Sequence, residues 1–340
     1  MMTAMATRGV RWYRAVGRPF FFSMPPEASH RLAAWLLGLP FPWARIGAPV
    51  DDPALETDLC GLALRNPIGL AAGFDKSCRH LGALGVLGFG YVVGGTITRA
   101  ARAGNPAPRI ARSTRRRSLV NAMGLPNPGA EAVAATLRRR PRGPAPRFVS
   151  LADEALGDAL TSLELLEPLV EGIELNASCP NVSWGRDRDN ERHLRQLVEA
   201  FRARTAKPLL VKLPPFRTDT EREVVLALAG IALDAGAGGL TCSNTRPVED
   251  ARLAIGRGGL SGRALWPETQ RIVAAVRRAV GDEPAVAACG GIASADDVAS
   301  CLDAGATTVQ IYTAMIYDGP AVVGELTAAL AERSIVLRGR

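Results

Sequence analysis

From residue 57 onward, short apolar runs alternate with longer stretches in which apolar residues recur every three to four positions. Eight of the runs read as strands: Ile68–Ala72, Tyr91–Gly95, Phe148–Leu151, Gly172–Leu175, Leu209–Leu213, Gly239–Cys242, Ala285–Ala288 and Thr308–Tyr312. Helical stretches fit after them, among them Thr161–Val170, Asn190–Ala203, Glu221–Ala235, Pro267–Val280, Ser294–Ala304 and Ala321–Arg333. Eight such units match a closed (β/α)8 barrel, whereas an open doubly wound sheet usually has fewer strands and a phosphate loop after its first. The predicted fold is α/β: a (β/α)8 TIM barrel over residues 49–340, with an N-terminal helical extension over residues 1–48.

That extension has a pattern of its own. Val10–Phe22 and Pro25–Leu39 read as two amphipathic helices separated by prolines, the second with about a dozen apolar positions, too few to span a bilayer. No signal-peptide cleavage pattern follows. Six arginines against one acidic residue in the first fifty, interleaved with Trp12, Phe20, Phe21, Phe22 and Trp35, fit a segment lying in an anionic membrane interface. A helical pair capping the barrel fits the same pattern.

Composition narrows the function. With 47% apolar and 22% charged residues in 340, the chain supports a large core, and its 35 glycines and 24 prolines are spread as turns. Six cysteines without a C-x-x-C pair suit reduced thiols in a cytoplasmic protein, and three isolated histidines offer neither a metal site nor a triad. The formal charge of +8 raises nucleic acid as a partner. The basic residues cluster at Arg109–Arg117 and Arg138–Arg147 with no aromatic residue among them to stack on bases, which favours solvated turns and helix ends.

The polar residues at the strand ends carry the candidate chemistry. Glu174–Asn181 places Asn176, Cys179 and Asn181 within six residues, two amides to grip a flat polar ligand and one thiol to take a proton. Alone, the segment reads equally well as a turn. Other strand ends supply Ala72-Gly-Phe-Asp-Lys76, Gly95-Thr96, Asn121–Asn127, Lys212, Ser243-Asn-Thr245, Gly290-Gly291 and Gln310–Thr313. Glycines after the seventh and eighth barrel strands commonly let backbone N–H groups close on a phosphate, here Gly290, Gly291, Tyr312 and Thr313. Lys76 and Lys212 project from strand ends with no assigned carboxylate apart from neighbouring Asp75, and no dinucleotide fingerprint is present. An anionic flavin such as FMN would supply their partner.

From about Leu59 to its end the chain resembles the dihydroorotate dehydrogenase family. The resemblance rests on Ala71-Ala-Gly-Phe-Asp-Lys76, Gly104-Asn-Pro106 with Pro108-Arg109, Asn121-Ala-Met-Gly124, Asn176-Ala-Ser-Cys-Pro-Asn181, Val211-Lys212, Ser243-Asn-Thr245, Gly258-Gly-Leu-Ser-Gly262 and Val309-Gln-Ile-Tyr312. It implies oxidation of dihydroorotate to orotate in pyrimidine synthesis, with Cys179 removing the C5 proton while hydride leaves C6 for the flavin. It implies that Asn121, Asn176, Asn181 and Asn244 hold the pyrimidine and carboxylate with Thr245 and the main chain of Met123, Gly124 and Leu125. Lys76 would lie between flavin and substrate, and Lys212 near N1 and O2 of the flavin. Ala72, Gly73, Thr96, Asn176, Ser243, Gly262, Gly290, Gly291, Tyr312 and Thr313 would complete the FMN site.

The resemblance is divided between two classes. Arg18-Pro-Phe-Phe-Phe22 and Pro26–Arg31 resemble the quinone-binding helices of the membrane-associated class, implying a quinone acceptor, membrane contact through residues 1–48 and a place on the inner face of the cell membrane. Cys179, where that class has serine, and Lys207–Pro215 resemble the soluble class. Competing readings are a reductase of another dihydropyrimidine or of tRNA uridine, and a non-catalytic membrane-docking barrel. The tRNA reading calls for an RNA-binding helical domain, for which the residues after Arg333 are too few; the docking reading would be favoured by loss of Lys76, Asn176 or Cys179, all of which are present.

Overall fold

The computed structural model describes residues 2–153, 155–177 and 188–338. The chain opens with α1 (Met2–Trp12), passes through one π-helical turn at Tyr13–Gly17 and continues as α2 (Arg18–Phe22). It reverses and returns as α3 (Pro26–Leu37), where Pro26 at the first helical position needs no N–H partner. Two helices joined by a proline turn were expected; the first starts at Met2 instead of Val10. A short α4 (Trp43–Gly47) leads to the hairpin β1 (Thr57–Leu59) and β2 (Leu62–Leu64).

The barrel begins with β3 (Ile68–Leu70), α5 (Leu81–Val86) and β4 (Tyr91–Ile97). A hairpin, β5 (Ile110–Ser113) and β6 (Ser118–Asn121), precedes α6 (Ala130–Arg139). Strict alternation follows through β7 (Arg147–Leu151), α7 (Leu156–Leu166), β8 (Gly172–Asn176), α8 (Arg188–Arg202), β9 (Leu209–Lys212), α9 (Asp219–Asp234) and β10 (Gly239–Cys242). A second hairpin, β11 (Arg246–Glu249) and β12 (Arg257–Gly262), stands before α10 (Trp266–Val280). The chain then runs through β13 (Ala285–Cys289), α11 (Ala295–Asp303), β14 (Thr308–Ile311), α12 (Thr313–Asp318) and α13 (Val322–Arg338).

Strands β3, β4, β7, β8, β9, β10, β13 and β14 close a parallel barrel in chain order, with Val309 beside Ile68 and Ile311 beside Leu70 at the seam. These are the eight expected strands. Burial on both faces makes them near-continuous apolar runs: every residue of β4 and of β8 is buried. Capping boxes at Thr218/Glu221 and Ser294/Asp297 fix the starts of α9 and α11.

The two hairpins are an addition that the pattern did not show. They join into one antiparallel sheet in the order β11-β12-β6-β5, with Gly259 of β12 opposite Asn121 of β6. A Cβ on Gly258 would lie 2.6 Å from the Asn121 carbonyl oxygen, so the close approach of the strands selects glycine where a period-two reading looks for apolar side chains.

The arginines of this sheet and the loop before it correct the expectation of solvated turns. Within the Arg109–Arg117 run only Arg115 and Arg116, at the tip of the first hairpin, are exposed. Arg109 grips Glu27 of α3 with Nη2 at 2.6 Å, and Arg112 donates to the carbonyls of Phe21, Phe22 and Met24 and to the Ser29 hydroxyl. Arg117 and Arg14 of the N-terminal extension converge on Asp318, whose side chain has no solvent exposure. The extension is thus bolted to the barrel: α1 packs along α13, with Gly9 against Ala321 just before that helix.

His30 of α3 packs edge-on against Phe74, ring centroids 6.0 Å apart. Burial, helped by the charge of Lys76, lowers its pKa to about 4. An unfolded histidine titrates near 6.5, so between the two values the unfolded chain binds more protons and stability rises with pH. Going from pH 7 to 5 should cost about 2 kcal/mol through this residue. Urea midpoints at the two pH values should lie closer together in His30→Asn than in the wild type.

Candidate active site

A cavity of about 1520 Å³ extends from the mouth of the barrel, along the four-stranded sheet, to the space enclosed by α1, α2 and α3. Every expected site residue that is described lines it; Cys179 and Asn181 lie outside the described residues. The cavity is polar at the barrel end, where strand ends deliver lysines and amides, and aromatic at the helical end, where Tyr13, Phe21, Phe22 and Tyr317 contribute.

The loop after β3 carries Ala72, Gly73 and Lys76. Gly73 N–H donates to the Gly95 carbonyl at 2.7 Å, and the Gly73 carbonyl accepts from Lys76 Nζ at 2.5 Å and from the Tyr312 hydroxyl at 3.3 Å. Asp75 does not pair with Lys76, because its carboxylate accepts the N–H groups of Arg79 and His80. Burial lowers the Lys76 ammonium to about 8.

Amide groups reach the cavity from four elements. Asn176, at the end of β8, donates to the Thr96 hydroxyl at 3.1 Å, which is hydrogen-bonded to Ser150 at 3.0 Å, so β4, β7 and β8 share one polar chain. Asn121 ends β6 and donates to the Gly259 carbonyl at 3.3 Å. Met123, Gly124 and Leu125 follow it, the last two at positive φ, and Asn105 N–H holds the Met123 carbonyl at 3.0 Å. Asn244, after β10 and beside Ser243, accepts the Thr245 N–H at 2.7 Å. Asn105 was not among the expected residues, although its Gly-Asn-Pro motif was visible.

Lys212 corrects a second expectation. It does have a carboxylate within the barrel: Glu174 Oε1 lies 3.6 Å from its Nζ, with both side chains at or below 5% exposure. Its ammonium also lines the cavity, where it can meet an anionic ligand. Glu174 is a charged residue inside a buried strand, and the barrel register sets its strand beside that of Lys212.

Past β13 and β14 the backbone forms a glycine-rich turn whose N–H groups could cradle an anion. The N–H groups of Gly291, Ile292, Thr313 and Ala314 donate to no acceptor among the described residues. Gly290 and Gly291 have φ of +135° and +70°, and Gly262 beside them +89°. A Cβ on Gly291 would lie 2.6 Å from Trp266 N, so the turn admits only glycine. Gly291→Ala should shift the cradle and lower retained cofactor several-fold; the ratio of visible to ultraviolet absorbance of the purified protein checks this.

Comparison with known proteins agrees with this geometry. Residues 54–333 match the dihydroorotate dehydrogenase family. A dihydroorotate dehydrogenase (quinone) of Clavibacter michiganensis subsp. michiganensis is 37% identical, the alignment covering 94% of this chain and 98% of the relative. The Mycolicibacterium smegmatis protein of the same name is 36% identical, with 90% of each chain covered. The crystal structure of a dihydroorotate dehydrogenase from Eimeria tenella in complex with ferulenol superposes with a TM-score of 0.79 at 28% identity, covering 92% of each chain. The barrel, the strand-end lysines and amides and this likeness over nearly the whole chain lead to one conclusion: the protein belongs to the dihydroorotate dehydrogenase family.

Proposed function

We propose that this chain oxidises dihydroorotate to orotate, a step of pyrimidine synthesis, with FMN as its cofactor and a quinone as its final acceptor. The carrying observation is the single cavity that joins an amide- and lysine-lined barrel mouth to an aromatic space between the N-terminal helices. The four N–H groups at Gly291, Ile292, Thr313 and Ala314, without an acceptor among the described residues, suit the FMN phosphate, and Lys212 suits the electron-rich end of its ring. Ala72, Gly73, Thr96, Ser243, Gly262, Gly290 and Tyr312 would close around the remainder.

When bound, FMN supplies the two-electron acceptor for hydride leaving C6 of the substrate. The chain's own residues orient and deprotonate. Asn121, Asn176, Asn181 and Asn244 present donors and acceptors in pairs to the pyrimidine edge, with Thr245 and the main chain of Met123–Leu125 beside them. Cys179 accepts the C5 proton. Lys76, half-buried and held on the Gly73 carbonyl, sits where it can meet negative charge on the substrate.

Quinone would enter from the helical end, past Phe22, whose ring lies 4.4 Å below the Arg112 guanidinium and 5.1 Å from Tyr317. Trp12, Phe20, Trp35 and Phe41 are each more than half exposed there, with Arg8, Arg11, Arg31 and Arg45 also exposed. That surface suits peripheral contact with the inner face of the cell membrane. Among the described residues no helix is long and apolar enough to cross a membrane.

The test combines cofactor identity with an acceptor panel. Cofactor released by heat should have the mass of FMN, and dihydroorotate should drive reduction of a short-chain quinone in detergent far faster than reduction of fumarate or NAD. Preference for fumarate or NAD would overturn the acceptor assignment.

A further inference from the structure

Glu174 and Lys212 are stacked across the cavity floor. Lys212 lines the cavity; Glu174, with no exposure, lies behind it inside the barrel. One oxygen of Glu174 accepts from the Thr241 hydroxyl at 2.9 Å and from Gln310 Nε2 at 3.0 Å. The other makes no hydrogen bond and faces Lys212 Nζ at 3.6 Å. Glu174, Thr241 and Gln310 come from the alternate barrel strands β8, β10 and β14, which together form one interior layer.

Among the described residues, the remaining titratable groups facing this layer are Cys289 of β13 and Tyr91 of β4. Burial raises the pKa of both, so neither offers a negative charge at neutral pH. Glu174 is therefore the one carboxylate against Lys212 among the described residues. Burial by itself pulls a lysine toward its neutral form. Here the attraction of Glu174 more than offsets burial, and the Lys212 pKa is raised.

We propose that Glu174 is a positioning residue that keeps Lys212 charged whether the flavin is oxidised or reduced, and so fixes at one the protons taken up with each electron pair. This rests on the FMN site proposed above. With Lys212 already charged, two electrons and one proton enter the flavin, and the negative charge left on the ring meets a standing ammonium. Without Glu174, Lys212 is neutral beside the oxidised flavin and binds a second proton when the ring gains its charge: two electrons, two protons.

The experiment is the flavin midpoint potential of the full-length holoprotein, measured by dye equilibration at several pH values between 7 and 9. For a two-electron couple each proton contributes a tenfold factor per pH unit, about 30 mV. The wild type should fall by one such factor per pH unit without a break, and Glu174→Gln, which keeps an acceptor for Thr241, by two. Equal slopes in the two proteins overturn the proposal. So does a two-proton slope in the wild type, a result that needs no variant to fold. Failure of the FMN reading itself is distinct, because the wild-type protein would then show no flavin spectrum before any potential is measured.

Discussion

Cys179→Ala should reduce its flavin with dihydroorotate about a hundred to ten thousand times more slowly than the wild type, the range commonly contributed by a positioned general base. Its flavin should stay bound, because the glycine turn at Gly290-Gly291 and Lys212 lie on other strand ends. A thiol acting as general base works as the thiolate, and because a free cysteine ionises at about pH 8.5 the wild-type rate should climb between pH 7 and 9. Loss of the base should remove that climb along with most of the rate. Anaerobic stopped-flow reduction across this range measures both, and a Cys179→Ala protein reduced at the wild-type rate would remove the thiol from the chemistry.

Deleting residues 2–47 should leave reduction by dihydroorotate in place and lower quinone turnover about a hundredfold or more, as expected when a reactant is no longer held in position. The deletion also removes Arg14 from the buried Asp318 and takes away the acceptors of Arg109 and Arg112, so stability will fall. Ala33→Trp gives a gentler version. Ala33 lines the helical end of the cavity, and a large side chain there should obstruct quinone while every arginine contact remains. Both proteins are assayed with quinone and with a small soluble dye. Loss of quinone turnover alone supports entry between the helices, whereas unchanged quinone turnover in both would place the acceptor elsewhere.

The barrel was legible because parallel strands covered on both faces must be apolar along their length, as β4 and β8 are. The two hairpins were not, since Arg257-Gly-Gly-Leu-Ser-Gly262 gets its strand geometry from close packing against β6. Candidate residues such as Lys76, Asn176, Lys212 and Gly291 could be placed from their positions at strand ends, which a barrel gathers on one face. Long-range charge pairing stayed hidden. Arg109 and Glu27 are 82 residues apart and Arg117 and Asp318 201, so a basic run that looked solvated is the socket for the N-terminal helices. Glu174 and Lys212 were each visible, but only the register that sets Asn176 beside Lys212 brings the carboxylate beneath the lysine.

Anaerobic titration of the purified protein with dihydroorotate tests the central claim most directly. The flavin absorbance should bleach fully with one equivalent of dihydroorotate per flavin and release one equivalent of orotate. A flavin that dithionite bleaches but dihydroorotate does not, or one that responds to dihydrouracil instead, would contradict it.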